Sequence, residues 1–113
     1  MARMIRQGDV LLVPVDRVPD AVVPVAREDG RLVLAEGEVT GHAHVIEAEQ
    51  AELVTAEEAR ELYLLVHGDD AVELTHEEHS TLPVEAGAYR VVRQREFREP
   101  RAAGARVWDP VRD

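Results

Sequence analysis

The chain has 113 residues, 45% of them apolar, which is enough to bury one hydrophobic core and excludes wholesale disorder. It contains no cysteine, so disulfides, thiolate metal sites and a nucleophilic thiol are excluded. The formal net charge of -10 disfavours non-specific attraction to nucleic acid or to anionic lipid. All 13 basic residues are arginines, so no lysine can act as a Schiff base or general base.

The length predicts a single domain over residues 1–113, and no linker, internal repeat or low-complexity tract divides it. The first residues carry no apolar run of the kind found in a secretory signal, and no apolar run approaches the length of a membrane span. We therefore expect a cytoplasmic protein with no membrane-spanning segment.

Apolar runs in the first part of the chain have the length of strands rather than helices. Residues 10–15 form such a run, and Pro14 within it favours an edge strand or a strand end, where pairing in a homodimer is open. Residues 22–25 have an extended pattern. The Glu-Asp-Gly sequence at 28–30 then predicts a hairpin turn to a returning strand at 31–35.

The rest of the chain continues this pattern with one interruption. A strand is expected at 42–47, and the capping-box sequence that begins at Thr55 predicts one helical turn before a strand at 62–67. After a Gly-Asp-Asp turn, residues 71–74 are expected to pair back on that strand. Residues 88–97 form the longest predicted strand. The elements predict an all-β fold, a small barrel or sandwich of about seven or eight short strands with one short helical turn.

Four of the five histidines form two close pairs at predicted strand boundaries. His42 and His44 are two residues apart in a predicted strand, so their side chains share a face. His76 and His79 are three residues apart in a turn of helix or a tight loop, where they also share a side. Because imidazole nitrogens bind transition metals, the four histidines predict a site for one divalent ion, Zn, Mn, Fe or Ni.

Nearby glutamates and the number of ligands decide what such a site would do. Glu47, Glu77 and Glu78 are close enough in sequence to orient a metal-bound imidazole, or to complete a set of two histidines and one carboxylate. Four protein ligands favour a structural ion and three favour chemistry, so the sequence leaves open whether the protein is an enzyme. The competing interpretation is that the histidines lie in polar surface loops, with Thr75 and Glu78 capping a helix start.

Metal-free catalysis has little support in the sequence. His79 begins one H-x-T element, but two-histidine phosphoesterases need two such elements and no second one exists. Ser80 is the only serine and lies outside any G-x-S-x-G elbow, and no P-loop or G-x-G-x-x-G is present. A hydrolase or isomerase that uses a His/Glu pair has no positive motif, and His67 is expected to be a turn residue.

Basic residues are concentrated near the end of the sequence, where residues 90–112 contain seven arginines and three acidic residues. Arg90, Arg93 and Arg95 lie with aromatic residues in the predicted strand at 88–97 and Arg98 follows it directly, a composition typical of platforms for single-stranded nucleic acid. The alternative function is therefore a non-enzymatic module that binds a protein or RNA partner through this strand. The same alternation also describes a half-buried strand with an Arg-rich exposed face.

Four segments of the chain together resemble a group of small uncharacterised bacterial proteins. They are Arg6-Gln-Gly-Asp with the apolar run after it, Gly37-Glu-Val-Thr-Gly-His-Ala-His, Leu74-Thr-His-Glu-Glu-His and Gly87-Ala-Tyr-Arg-Val-Val-Arg. The resemblance covers nearly the whole chain and attaches no activity to it. It implies that the two histidine motifs belong to one set.

The first histidine pair is also similar to the metal motif of the cupin superfamily, jelly-roll barrels that hold a metal with histidines and a glutamate. His42, His44 and Glu49 match the H-x-H and the following glutamate of that motif, whereas Glu36 and Ala56 stand where it has glycines. This partial similarity implies a metal pocket inside a β-barrel.

Overall fold

The computed structural model describes residues 2–36, 42–56 and 60–93, and these residues form ten β-strands and no helix. Six strands form one antiparallel sheet in the order β1-β2-β10-β7-β6-β3, and four form a second in the order β4-β5-β8-β9. The strands are β1 (Ile5–Gln7), β2 (Val10–Val15), β3 (Val23–Pro24), β4 (Leu32–Glu36), β5 (Ala43–Ile46), β6 (Ala51–Ala56), β7 (Glu61–Val66), β8 (Val72–His76), β9 (His79–Val84) and β10 (Gly87–Arg93).

Alternating burial along the strands explains why the two sheets face each other. In β2, Val10 and Leu12 are buried and Leu11 is only half-buried, and β4 likewise buries Leu32 and Leu34. Apolar residues at this spacing point to one face of a sheet, and those of both sheets form one continuous core cluster. The largest fully buried apolar side chains are Tyr89, Leu12, Leu32, Leu34, Ile46, Leu53, Leu64 and Leu74.

The all-β prediction is confirmed, and of the two predicted architectures the structure is sandwich-like, because the strands divide into two separate sheets. There are ten strands among the described residues rather than seven or eight, and the three that the sequence did not predict are β1, β6 and β9. No described residue belongs to a helix long and apolar enough to cross a membrane.

The helical turn predicted to begin at Thr55 is wrong where the structure describes it. Thr55 and Ala56 belong to β6 and pair with Leu62 and Glu61 of β7, so pairing between these strands continues to the last residue of β6. Residues 57–59, which make up the rest of the predicted turn, lie outside the described residues. Cross-strand pairing thus overrides the local capping pattern.

Turns are predicted better than the partners of the strands beside them. Glu28 and Arg31 exchange backbone hydrogen bonds of 2.8 and 3.0 Å across Asp29 and Gly30, whose φ angles are 55° and 81°. The predicted turn is therefore confirmed, but the predicted hairpin is wrong because β3 pairs with β6 and β4 pairs with β5. Of the predicted strand at 71–74, Val72 to Leu74 lie in β8, which pairs with β5 and β9 and not with β7.

Pro14 lies next to the end of β2, which confirms the prediction of a strand end. The strand itself is not an edge strand, because β10 pairs along all of it and β1 pairs with its first three residues, Val10 to Leu12. Pro14 lies beyond the residues that pair with β1. On that side of β2 no neighbouring strand needs a backbone hydrogen bond that a proline would remove.

Candidate metal centre

Strand pairing brings the two histidine pairs to one end of the four-stranded sheet. His42 comes immediately before β5 and His44 lies within it. His76 ends β8 and His79 begins β9, and these two residues are cross-strand partners that close a two-residue turn. Because β5 and β8 are neighbours in the sheet, the four imidazoles meet, and we call them the histidine cluster.

His76 is the central ring of the histidine cluster. Its centroid lies 4.3 Å from that of His44, 4.6 Å from that of His79 and 5.9 Å from that of His42. The rings of His44 and His79 are nearly parallel, with centroids 5.8 Å apart. The four imidazoles therefore form one connected group at the end of the core.

His44 is the buried member of the cluster, with 1% of its surface exposed, and Gln7 fixes its tautomer. Nδ1 of His44 lies 2.7 Å from Oε1 of Gln7. Nε2 of Gln7 donates to the carbonyl oxygens of Leu74 and Ser80 at 2.9 and 2.8 Å, so its amide has one orientation and Oε1 can only accept. Nδ1 of His44 therefore carries a proton, and Nε2 of the neutral ring carries the lone pair.

The Nε2 side of His44 faces a carboxylate. Oδ1 of Asp9 lies 3.2 Å from Nε2 of His44. Burial and the nearby His76 lower the pKa of His44, and this outweighs the opposite effect of Asp9, so the neutral ring is favoured near pH 7. The lone pair of a neutral imidazole and a carboxylate oxygen together attract a cation.

The turn between β1 and β2 covers one side of the cluster. Gly8 has a φ of +60° there, and a Cβ at this position would lie 2.6 Å from Nε2 of His79 and 3.2 Å from Cε1 of His44. Glycine is required for both reasons, the positive φ and the close approach of the backbone to the two rings. The same turn carries Asp9, so backbone and carboxylate form one wall of the cluster.

Glu78 contacts two members of the cluster, His76 and His42. Its backbone N–H donates to Nδ1 of His76 at 2.9 Å, so a neutral His76 carries its proton on Nε2. Nδ1 of His42 lies 3.4 Å from Oε2 of Glu78, yet this buried nitrogen has no hydrogen-bond partner within the described residues. A buried polar atom without a hydrogen bond costs free energy unless a ligand or a proton satisfies it.

The glutamates predicted to support a metal site lie in different places. Oε1 of Glu77 accepts a hydrogen bond of 3.0 Å from the backbone N–H of Ala43, which joins the β8–β9 turn to the start of β5. This N–H and that of Glu77 itself hold the pKa of the Glu77 carboxyl below its usual range. Glu78 adjoins His42, whereas Glu47 is exposed beyond the opposite end of β5.

Two further residues from the sequence analysis lie apart from the cluster. His67 is exposed after β7, and its Nε2 lies 2.7 Å from Oε2 of Glu52. Glu49, the glutamate matched by the cupin motif, is exposed between β5 and β6, beyond the end of β5 opposite His42. The two open sheets also differ from the barrel that this motif implies.

The proposed partner surface is described only in part. Arg90 is exposed, with its Nε 3.9 Å from Oε2 of Glu61. Nε of Arg93 donates a hydrogen bond of 3.0 Å to the backbone oxygen of Leu34, which ties this side chain to the neighbouring sheet. Two of the four predicted arginines, Arg95 and Arg98, lie outside the described residues.

Within the described part of the chain, no three His, Asp or Glu side chains hold their donor atoms in a ready arrangement for a metal ion. One physical reason is that Nδ1 of His76 already accepts a hydrogen bond from the backbone N–H of Glu78. The rings lie close together, but their nitrogen atoms are not directed at one common position where an ion could sit.

Sequence reasoning missed Gln7 and Asp9, the residues on either side of the His44 ring. A signal was present, since Gly8 separates them in a tight turn between two strands. A glutamine next to such a turn can reach into a core, where it requires polar partners. The sequence did not show that β1 lies over the end of β5 and β8, and only that contact connects these two residues with the histidines.

A family model described as "Domain of unknown function (DUF8820)" matches residues 6–94, which include the histidine cluster, Gln7 and Asp9. Neither the comparison with curated proteins nor the comparison with solved structures gives a match. The model covers most of the sequence, and the chain belongs to this family.

Proposed function

We propose that this member of the DUF8820 family binds one divalent transition metal ion, Zn, Mn, Fe or Ni, through His42, His44, His76 and His79. The observation that carries the proposal is the grouping of four imidazole rings around His76 at one end of a hydrophobic core. Imidazole is a good ligand for Zn, Fe and Ni, and the chain has no thiolate to compete with it.

The spacing of the rings supports a shared ion. With a metal–nitrogen bond of about 2.0–2.1 Å and about 1.1 Å from a ring nitrogen to the ring centre, two imidazoles on a tetrahedral ion have centroids about 5 Å apart. The measured separations of 4.3, 4.6, 5.8 and 5.9 Å lie on both sides of this value. We therefore expect metal uptake to require rotation of side chains rather than movement of strands.

His44 is already oriented as a ligand. A metal-bound histidine usually donates its other ring N–H to a carbonyl or carboxylate oxygen, which fixes the ring and raises its basicity. Gln7 supplies that acceptor at 2.7 Å and leaves the lone pair of Nε2 of His44, 3.2 Å from Oδ1 of Asp9, as the donor for an ion. Because Gln7 is itself held by two backbone carbonyls, this orientation is set before any metal arrives.

His76 and His42 differ in what metal binding would cost them. A metal on either nitrogen of His76 removes the acceptor that the backbone N–H of Glu78 now uses, because a neutral ring has only one lone pair. Nδ1 of His42 has no hydrogen bond to lose within the described residues, so a bond there would satisfy a buried atom. The number of histidines that bind decides the role, since four ligands close a tetrahedral site and three leave a position for water.

The test is to purify the protein without a histidine tag, remove metals with a chelator, and titrate it with Zn, Mn, Fe and Ni salts. Bound metal is measured by plasma mass spectrometry after gel filtration, alongside the variant His42→Ala/His76→Ala. We expect about one ion per chain in the wild type and loss of this ion in the double variant. Metal at 100 times its Kd should also add about 2.7 kcal/mol to the free energy of unfolding.

His67→Ala is the matched control, because it removes the exposed histidine that pairs with Glu52 outside the cluster. It should bind metal as the wild type does. The proposal fails if the wild type takes up none of these metals and its melting temperature does not change in their presence. Equal metal loss in His67→Ala and in the cluster variant would also contradict it, since binding would then not belong to the cluster.

A further inference from the structure

We propose that Asp9 is a ligand of this metal together with His44, so that the site is a mixed histidine and carboxylate site. The inference rests on the proposed function, because it names a further ligand for the same ion. It is carried by the position of Asp9 in the turn between β1 and β2, which the sequence did not connect with the histidines.

The distance between the two donor atoms is that of two ligands on one ion. Oδ1 of Asp9 and Nε2 of His44 are 3.2 Å apart. Two donors that each lie about 2.1 Å from an ion and are separated by this distance subtend an angle of about 100° at the ion, which lies between the octahedral and tetrahedral values. The two donors therefore already have a separation that suits a shared ion.

Both donors are held in place by their surroundings. Gln7 bonds Nδ1 of His44 on one side of the ring, and Asp9 faces Nε2 on the other. Gly8, between these two residues in sequence, lies so close to His44 and His79 that a Cβ there would push the His79 ring aside. The turn therefore places the backbone of Asp9 beside the cluster, and the Asp9 carboxylate lies at its edge, 3.2 Å from Nε2 of His44.

A carboxylate ligand changes which metals the site prefers and what the ion can do. Oxygen donors suit Mn and Fe better than an all-imidazole set does, and a negative ligand offsets the charge of a divalent ion in a partly buried site. Asp9 is 29% exposed in its side chain, so an ion bound to it would be open to solvent on that side. Such an ion would have room for a water molecule, which favours chemistry over a purely structural role.

The experiment compares the wild type with Asp9→Asn, which keeps the size of the side chain and its compatibility with a turn but weakens it as a ligand. Mn²⁺ and Zn²⁺ affinities are measured by calorimetry on chelator-treated protein, and Co²⁺ is added to record the absorption bands that report ligand number and type. We expect Asp9→Asn to weaken Mn²⁺ binding at least tenfold, to weaken Zn²⁺ binding less, and to shift the Co²⁺ bands.

Glu73→Gln is the matched control, because it neutralises an exposed carboxylate of β8 that lies outside the histidine cluster. It should leave the Co²⁺ bands in place. Metal binding by the wild type that is equal in Asp9→Asn overturns this inference and leaves the proposed function standing. No binding of any of these ions by the wild type overturns the proposed function itself. If Asp9→Asn fails to fold, Asp9→Ser, which also fits a tight turn, repeats the test.

Discussion

The two ends of the four-stranded sheet use the same strands for different purposes. On β5, Ile46 and His44 are buried to the same degree, at 0% and 1% exposure, although one is hydrocarbon and the other is an imidazole. On β8, Leu74 is fully buried, and His76 follows it at the spacing that keeps a side chain on the same face. Within two residues along each strand, the core changes from an apolar end to a histidine end.

This change shows what it takes to bury an imidazole where a leucine would fit. The apolar end needs only close packing with its neighbours. At the histidine end, His44 requires a hydrogen-bond acceptor for Nδ1, and the chain provides Gln7 from the other sheet together with the carbonyls that hold it. We therefore expect the apolar end to stabilise the fold, and the histidine end to lower the free energy of unfolding in exchange for a fixed orientation of the His44 ring.

The largest effect is expected from truncation at the apolar end. Leu74→Ala removes a fully buried side chain and should lower the free energy of unfolding by about 2–5 kcal/mol, because the strands around it cannot close the cavity. His76→Ala, two residues away and only partly buried, should cost about 0.5–1.5 kcal/mol, the loss of one hydrogen bond. Urea unfolding in the presence of a chelator measures the free energy of unfolding of both variants. An equal decrease in the two variants would contradict the difference between the two ends.

A smaller effect is expected from Gln7, which connects the two ends. Gln7→Leu leaves the buried Nδ1–H of His44 without an acceptor and should cost about 1–3 kcal/mol. If that hydrogen bond is the cause, Gln7→Leu/His44→Leu should be more stable than the sum of the two single changes predicts, since two apolar side chains leave nothing unpaired there. Additive losses in this double-mutant cycle would mean that Gln7 stabilises the fold only through its bonds to Leu74 and Ser80.

The sequence predicts the apolar end better than the histidine end. Period-two burial in β2 and β4 follows directly from the alternation of residues, and the turn at Asp29 and Gly30 follows from residues that accept positive φ. Both are local properties, so no knowledge of strand partners is needed. The sheet in which each strand lies depends on pairing between distant residues, and there the predicted partners of β4 and β8 were wrong.

Part of the candidate site could be predicted from the sequence, because the spacing of the histidines is also a local property. The spacing of His42 with His44 and of His76 with His79 is local, and it singled out all four rings of the cluster. Gln7 and Asp9 reach the cluster only because β1 and β2 come from the opposite sheet. Glu47 is three residues from His44 in sequence and Glu78 is two from His76, yet β5 carries Glu47 to the end of the strand away from the cluster.

The smallest expected effect on stability comes from protonation of His44 at the histidine end. Burial and the neighbouring His76 and His79 lower the pKa of His44, and the opposite effect of Asp9 is smaller. The folded state therefore binds a proton at this ring more weakly than the unfolded chain, in which histidine has a pKa of about 6.5. Above that pH neither state is protonated here, and the contribution of the neutral ring to stability is fully present. As the pH falls through the unfolded value, the unfolded state gains the proton first and stability decreases, by at most about 1.4 kcal/mol per pH unit, until the lowered folded pKa is reached.

His44→Gln isolates this contribution, because it removes the titrating ring while leaving the other ionisable groups in both proteins. With a chelator present, urea unfolding of the two proteins from pH 8 to pH 5 should give a stability difference that is constant above about 6.5 and shifts against the wild type below it. A difference that stays constant over the whole range would mean that the folded protein binds this proton as readily as the unfolded chain. The histidine end would then differ from the apolar end in its hydrogen bonds but not in its tolerance of charge.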